Sequence, residues 1–241
     1  MDRNRACWYQ NVCNYEYCSE TCIRYLEMKY LMDNSYIPVK MQLPIKLEQT
    51  EINRLAVKRL DEIKQNINEF VQNGNSLFIC SSVTGTGKTS SAIKLMLRYF
   101  NNIWSGNGFR IRGVFVHVPT LLNNLKNFDN GLSEDYKNSL IQADLVIWDD
   151  LASTALSKYD YAQLLVYLDA RVLQGKANIF TSNLCSAKEL LPLLGERLLS
   201  RSFGSSEVIN LMGFDYRPHL AKKKQIKKKE SVADDTGTGI K

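Results

Sequence analysis

The chain has 241 residues, 44% of them apolar, enough to bury one full core with a small appendage. No apolar run approaches the roughly 18 residues of a membrane helix, and the Cys- and charge-rich beginning is unlike a secretory signal; a soluble, cytoplasmic protein without membrane contact is expected. Lys222, Lys223, Lys224, Lys227, Lys228 and Lys229 account for the whole formal net charge of +6, so attraction to nucleic acid through net charge is expected mainly from this C-terminal segment.

Four of the six cysteines, Cys7, Cys13, Cys18 and Cys22, fall at the start of the chain. In a reducing compartment such a cluster can enclose zinc tetrahedrally, and the metal would supply folding free energy that so short a segment cannot draw from a core. Free or partly paired thiols and another metal are the alternatives. Pro38 and Pro44 bracket the exit from this segment, placing a zinc-binding module at 1–40 and a linker at 41–46.

Next, Ile52, Leu55, Ala56, Leu60, Ile63, Ile67 and Phe70 recur at helical spacing and predict one amphipathic helix. The apolar run 76–80 predicts a strand, followed by Ser81-Ser82-Val83-Thr84-Gly85-Thr86-Gly87-Lys88-Thr89 and a helix over 90–100. Strand, Gly-rich turn and helix describe a P-loop. Val83, Thr84, Gly85, Thr86, Gly87, Lys88, Thr89 and Ser90 are therefore the candidate contacts for a nucleoside triphosphate. Lys88 would reach the β/γ-phosphates and Thr89 would hold Mg²⁺. Ser82 stands where the usual pattern begins with glycine.

A strand at 114–118 and helices near 120–128 and 133–141 come next. A second buried strand, Leu145 to Trp148, delivers Asp149 and Asp150 at its C-terminal end. Asp149 suits the Mg²⁺ shell and Asp150 the orientation of an attacking water, although paired Asp residues can also mark a turn. A helix is expected over 159–173, then a strand 178–180 leading into Thr181-Ser182-Asn183. Asn183 would sense phosphate or position water, unless Ser182 and Asn183 only cap the following helix. Arg197 and Arg201 are one helical turn apart; either could serve a neighbouring subunit's nucleotide or be surface charge. The last strand is expected at 208–212.

In order, Val83 to Thr89, Leu145 to Leu151, Thr181-Ser182-Asn183 and Glu196-Arg197-Leu198-Leu199-Ser200-Arg201 resemble the AAA+ ATPases of the bacterial and phage helicase-loader group, the DnaC/DnaI-like proteins. The resemblance covers about 47–218. It implies an α/β, three-layer P-loop AAA+ domain with a central parallel sheet at 47–220, preceded by the zinc module; the short Lys-rich, then Gly/Asp/Thr-rich stretch after the last strand departs from the family pattern, so no full helical lid and a basic, disordered tail at 221–241 are expected. It also points to Arg201 as the arginine finger and brings Arg217, in Asp215-Tyr216-Arg217, toward nucleotide. The implied activity is slow ATP hydrolysis, stimulated by assembly or DNA. The implied partners are a hexameric replicative helicase, single-stranded DNA and further copies of the chain. A transposition-helper AAA+ ATPase and a nucleotide-switched adaptor that scarcely hydrolyses ATP share the same motifs.

Overall fold

Five short strands, β1 (Ser76–Cys80), β2 (Gly113–His117), β3 (Leu145–Asp149), β4 (Ala177–Ser182) and β5 (Glu207–Asn210), form one sheet in the order β2-β3-β4-β1-β5. Every pairing is parallel. The computed structural model describes residues 7, 13, 21–42, 49–105, 108–126 and 133–218. Cys18 and the basic 221–241 segment lie outside the described residues.

A parallel sheet has to be covered on both faces, and the strand side chains divide accordingly. Leu77, Ile79, Phe115, Leu145, Ile147, Ala177, Ile179 and Ile209 face one helical layer. That layer comprises α1 (Ile23–Asp33), α2 (Arg54–Gln65), α3 (Ile67–Gln72) and α4 (Lys88–Ile103). Phe78, Cys80, Val114, Val116, Val146, Trp148 and Phe180 face the other. It comprises α5 (Val118–Lys126), α6 (Glu134–Gln142), α7 (Lys158–Leu173) and α8 (Ala187–Leu199). The expected three-layer α/β architecture with a parallel sheet is the observed one.

Several differences from the expected elements have local causes. The single helix expected over 52–70 is two, because Asn66 leaves helical geometry at φ −104°, ψ 26° and its side-chain amide donates to the Glu62 carbonyl. The amphipathic spacing continues across the break because both helices bury the same face, Leu60 and Ile63 from one and Ile67, Phe70 and Val71 from the other. Helix α5 begins directly at Val118, two residues earlier than expected. β5 ends at Asn210 rather than 212, after which the Leu211 N–H donates to the Cys80 carbonyl.

The packing continues upstream of residue 41. Met28, Leu31, Met32 and Ile37 are buried in the same core as α4, and the Phe115 N–H of β2 donates to the Ser35 carbonyl at 2.7 Å. This part of the expected 1–40 module is thus an integral layer of the α/β core. Cys7 packs against that core half-buried, whereas Cys13 is exposed.

Opposite the C-terminal strand ends, charged groups tie the sheet's other edge. Arg171 of α7 is fully buried; its guanidinium donates to Asn178 Oδ1 at 2.7 Å and to the Leu140 and Ala143 carbonyls at 2.9 and 2.8 Å. Burial pulls its pKa down, partly offset by the Asp144 charge. Asn178 Oδ1 also accepts from Trp148 Nε1 at 3.1 Å, so one amide joins β3, β4 and α7.

Candidate nucleotide site

Neighbouring strands β1 and β4 send the chain to opposite faces, β1 into α4 and β4 into α8. That reversal opens a crevice at the C-terminal edge of a parallel sheet, where ligands of open α/β folds bind. The sequence candidates converge there. Gly87 takes a left-handed φ of 97° as the N-cap of α4, with no side-chain cap and no acidic residue in the first turn. The amides that begin the helix are thereby available for an anion.

Lys88, buried at 6% exposure, donates to Asn183 Oδ1 at 2.8 Å and to the Val83 carbonyl at 3.4 Å. Burial pulls its ammonium below the ordinary lysine value, while the charges of Asp150 and Asp149 act in the opposite sense. Asn183 therefore contacts the P-loop lysine. It does not cap α8, whose N-cap is Ser186; Ser182 instead donates to the Leu151 carbonyl at 2.8 Å.

Thr89 Oγ1 donates to Asp149 Oδ1 at 2.7 Å, and Thr181 Oγ1 donates to the same oxygen at 2.7 Å. Burial pushes the Asp149 carboxyl above the usual carboxylate range, and the nearby Asp150 charge adds to this against the two hydroxyl bonds. A hydroxyl and a carboxylate side by side are hard oxygen donors and fit Mg²⁺. Thr181 was quoted in the sequence motif without a role; its two contacts, to Asp149 and from the Asp150 N–H at 3.1 Å, lock the end of β3 to β4. Only the sheet register could reveal this.

Asp150 turns left-handed at φ 57°, a conformation that costs a non-glycine residue about 1 kcal/mol or more. Its carboxylate comes to 3.5 Å from His117 Nε2 at the end of β2. Sequence reading passed over His117, because its only signal is the residue type at a strand end three elements away.

The segment after β5 straps the P-loop. The Tyr216 N–H donates to the Gly85 carbonyl at 3.1 Å, and Tyr216 Oη accepts from Asn53 Nδ2 at 3.2 Å. A Cβ on Gly85, whose φ is 74°, would come within 1.8 Å of the Asp215 carboxylate. The Arg217 N–H donates to that carboxylate at 2.9 Å, which holds Arg217 at the rim with an exposed side chain. Arg197 and Arg201 lie apart from this crevice, both paired with Asp169 of α7 at 3.1 and 2.7 Å. Their helical turn is set off by Gly195, where α8 breaks at φ 69°.

Of the four proposed zinc ligands, Cys7, Cys13 and Cys22 are free thiols in the structure and Cys18 lies outside the described residues. Among the described residues no helix is long and apolar enough to cross a membrane.

Comparison with known proteins agrees with this geometry. The sequence matches the IstB-like ATP binding protein family over residues 35–224. No curated protein matches it. The fold is similar to the DnaC helicase loader (TM-score 0.59, 21% identity, 73% of this chain and 100% of that one). It is also similar to DnaI (0.57, 16%, 76% and 95%) and to AMPPCP-bound DnaA from Aquifex aeolicus (0.54, 19%, 68% and 48%), of which it spans about half. The chain belongs to the IstB-like ATP binding protein family and has the AAA+ fold of these replication proteins.

Proposed function

We propose that this IstB-like ATP-binding protein is an ATPase that assembles on single-stranded DNA and delivers a hexameric replicative helicase. The observation that carries the nucleotide chemistry is the convergence of Lys88, Thr89, Asp149 and Asn183 on one crevice. Fold likeness to a helicase loader over the whole of its solved chain supports the loading role.

The α4 N-terminus and Lys88 would bind the triphosphate of ATP, Lys88 exchanging its bond to Asn183 Oδ1 for phosphate oxygens. Thr89 and Asp149 would hold Mg²⁺, which neutralises charge on the β- and γ-phosphates. Asn183, released from Lys88, would be free to meet phosphate or the attacking water. Asp150, exposed enough to reach solvent, would orient that water. Arg217 would approach the nucleotide from the strap over Gly85. Arg201, exposed and anchored by Asp169, would act on the site of a neighbouring copy.

Cys7, Cys13, Cys18 and Cys22 remain the proposed zinc ligands, on the strength of their clustering; one zinc per chain in reduced protein is the expected metal content, and a metal-free chain with a folded α1 would remove them. The basic 221–241 segment would add sequence-independent DNA affinity. The decisive experiment pairs single-turnover ATP hydrolysis, with and without single-stranded DNA, with capture of the cognate hexameric helicase. DNA-stimulated hydrolysis together with capture is expected. ATP binding without turnover would make the protein a nucleotide-switched adaptor, and turnover without capture would end the loader reading.

A further inference from the structure

The structure assigns a second cation site to the C-terminal ends of β2 and β3: we propose that His117, Asp149 and Asp150 bind a divalent transition-metal ion, with imidazole nitrogen as a ligand. One ligand atom from each residue lies within 4.8 Å of the other two. The parallel register sets His117 directly beside Asp149, and the left-handed turn at Asp150 brings its carboxylate to 3.5 Å from His117 Nε2. Ligand atoms about 2.1 Å from a common ion are about 3.0–3.5 Å apart, so this pair closes on an ion with little movement.

The imidazole is also oriented for the task. Its other nitrogen, Nδ1, lies 2.8 Å from Thr120 Oγ1 on the first turn of α5. A metal-binding histidine donates its remaining ring N–H to an oxygen, and in the Nδ1–H tautomer Thr120 Oγ1 accepts that hydrogen and Nε2 is bare for the ion. The access is open, since the side chains of His117 and Asp150 are 43% and 39% exposed. Asp149 supplies the buried carboxyl floor.

The donor set separates this site from the Mg²⁺ position at Thr89 and Asp149, with which it shares one carboxylate. Mg²⁺ takes oxygens and keeps its waters, whereas one nitrogen and two carboxylates favour the first-row transition ions. If the proposed ATPase reading holds, an ion here engages Asp150 as a ligand and slows turnover while nucleotide still binds. The binding claim itself needs no ATP.

Mn²⁺ is the appropriate probe, because it is paramagnetic and thiolates of the N-terminal cysteines compete for it poorly. Nucleotide-free, full-length protein titrated with Mn²⁺ in excess Mg²⁺ is expected to bind one ion per chain, with imidazole nitrogen coupling in its pulsed paramagnetic resonance spectrum. His117→Ala should abolish the coupling and weaken binding at least about tenfold. Thr120→Val, which leaves the ligands in place, should weaken it about tenfold with the coupling retained. Lys88→Ala should keep both, so that failure of ATP binding is told apart from failure of this site. No bound Mn²⁺, bound Mn²⁺ without nitrogen coupling, or unchanged affinity in His117→Ala would each overturn the proposal.

Discussion

At the scale of single residues, the crevice assigns different work to groups that share it. Lys88, the first residue of α4, is buried and bonded to an amide and a carbonyl that it can release. The Asp150 carboxylate lies toward His117 and acts on Lys88 through its charge. Lys88→Ala is therefore expected to lose about 2–4 kcal/mol of nucleotide affinity, roughly 100-fold, through loss of charge-assisted bonds to phosphate. Asp150→Asn should keep affinity within a few fold and lose about 100-fold in turnover. Equilibrium nucleotide binding and single-turnover hydrolysis, measured on both variants, check the division; equal loss of affinity in the two would contradict it.

At the scale of elements, the sheet is tied at its other end by an ion cluster. Asp144, just before β3, accepts from Tyr99 Oη of α4 at 2.9 Å, from Lys176 Nζ beside β4 at 3.1 Å, and from Arg112 beside β2. One carboxylate thus joins the starts of three adjacent strands to the helix that carries Lys88. Burial alone would raise its pKa, but the bonds from Tyr99, Arg112 and Lys176 prevail and the net shift is downward. A carboxylate depressed in the folded state stabilises at pH above its unfolded value, about 3.9, and the contribution is lost as pH falls through the lower folded value. Asp144→Asn should cost about 2 kcal/mol at neutral pH, or about 4–8 °C in Tm. The gap from wild type should close as the pH of thermal unfolding is lowered below about 4. A gap that persists at acid pH would show that shape, rather than charge, holds the cluster.

At the scale of the whole molecule, the placement of Arg201 bears on assembly. It is bonded to Asp169 on the α7/α8 side, away from the crevice bounded by Lys88 and Asn183. The proposed finger role has this arginine complete the nucleotide site of another copy. Mixing Arg201→Ala protein with Lys88→Ala protein should restore part of the ATPase activity that each lacks, with a maximum near equal proportions. Co-assembly without recovery at any ratio would place the finger elsewhere, with Arg197 the next candidate since it shares Asp169.

What the sequence determined by itself is what local physics writes locally. Gly85, Gly87, Lys88 and Thr89 fall within one short stretch, so a turn that needs left-handed residues and a helix N-terminus could be read from their order. The strands were legible for the same reason, as short apolar runs sized for a buried parallel sheet. Asn66 marks the limit of that reading, because apolar spacing records which face is buried and not whether the backbone turns between two helices. The tertiary structure alone decided what depends on register and burial across the sheet. It set Thr181 on Asp149, His117 beside Asp150, Asp215 against Gly85, and Arg171 and Asp144 at the opposite strand ends. Apart from Arg171 and Asn178, which are seven residues apart, these partners come from distant parts of the chain, from 28 residues apart for Arg171 and Ala143 upward. Their energies come from desolvation and from hydrogen bonds that exist only once strands from distant parts of the chain lie side by side.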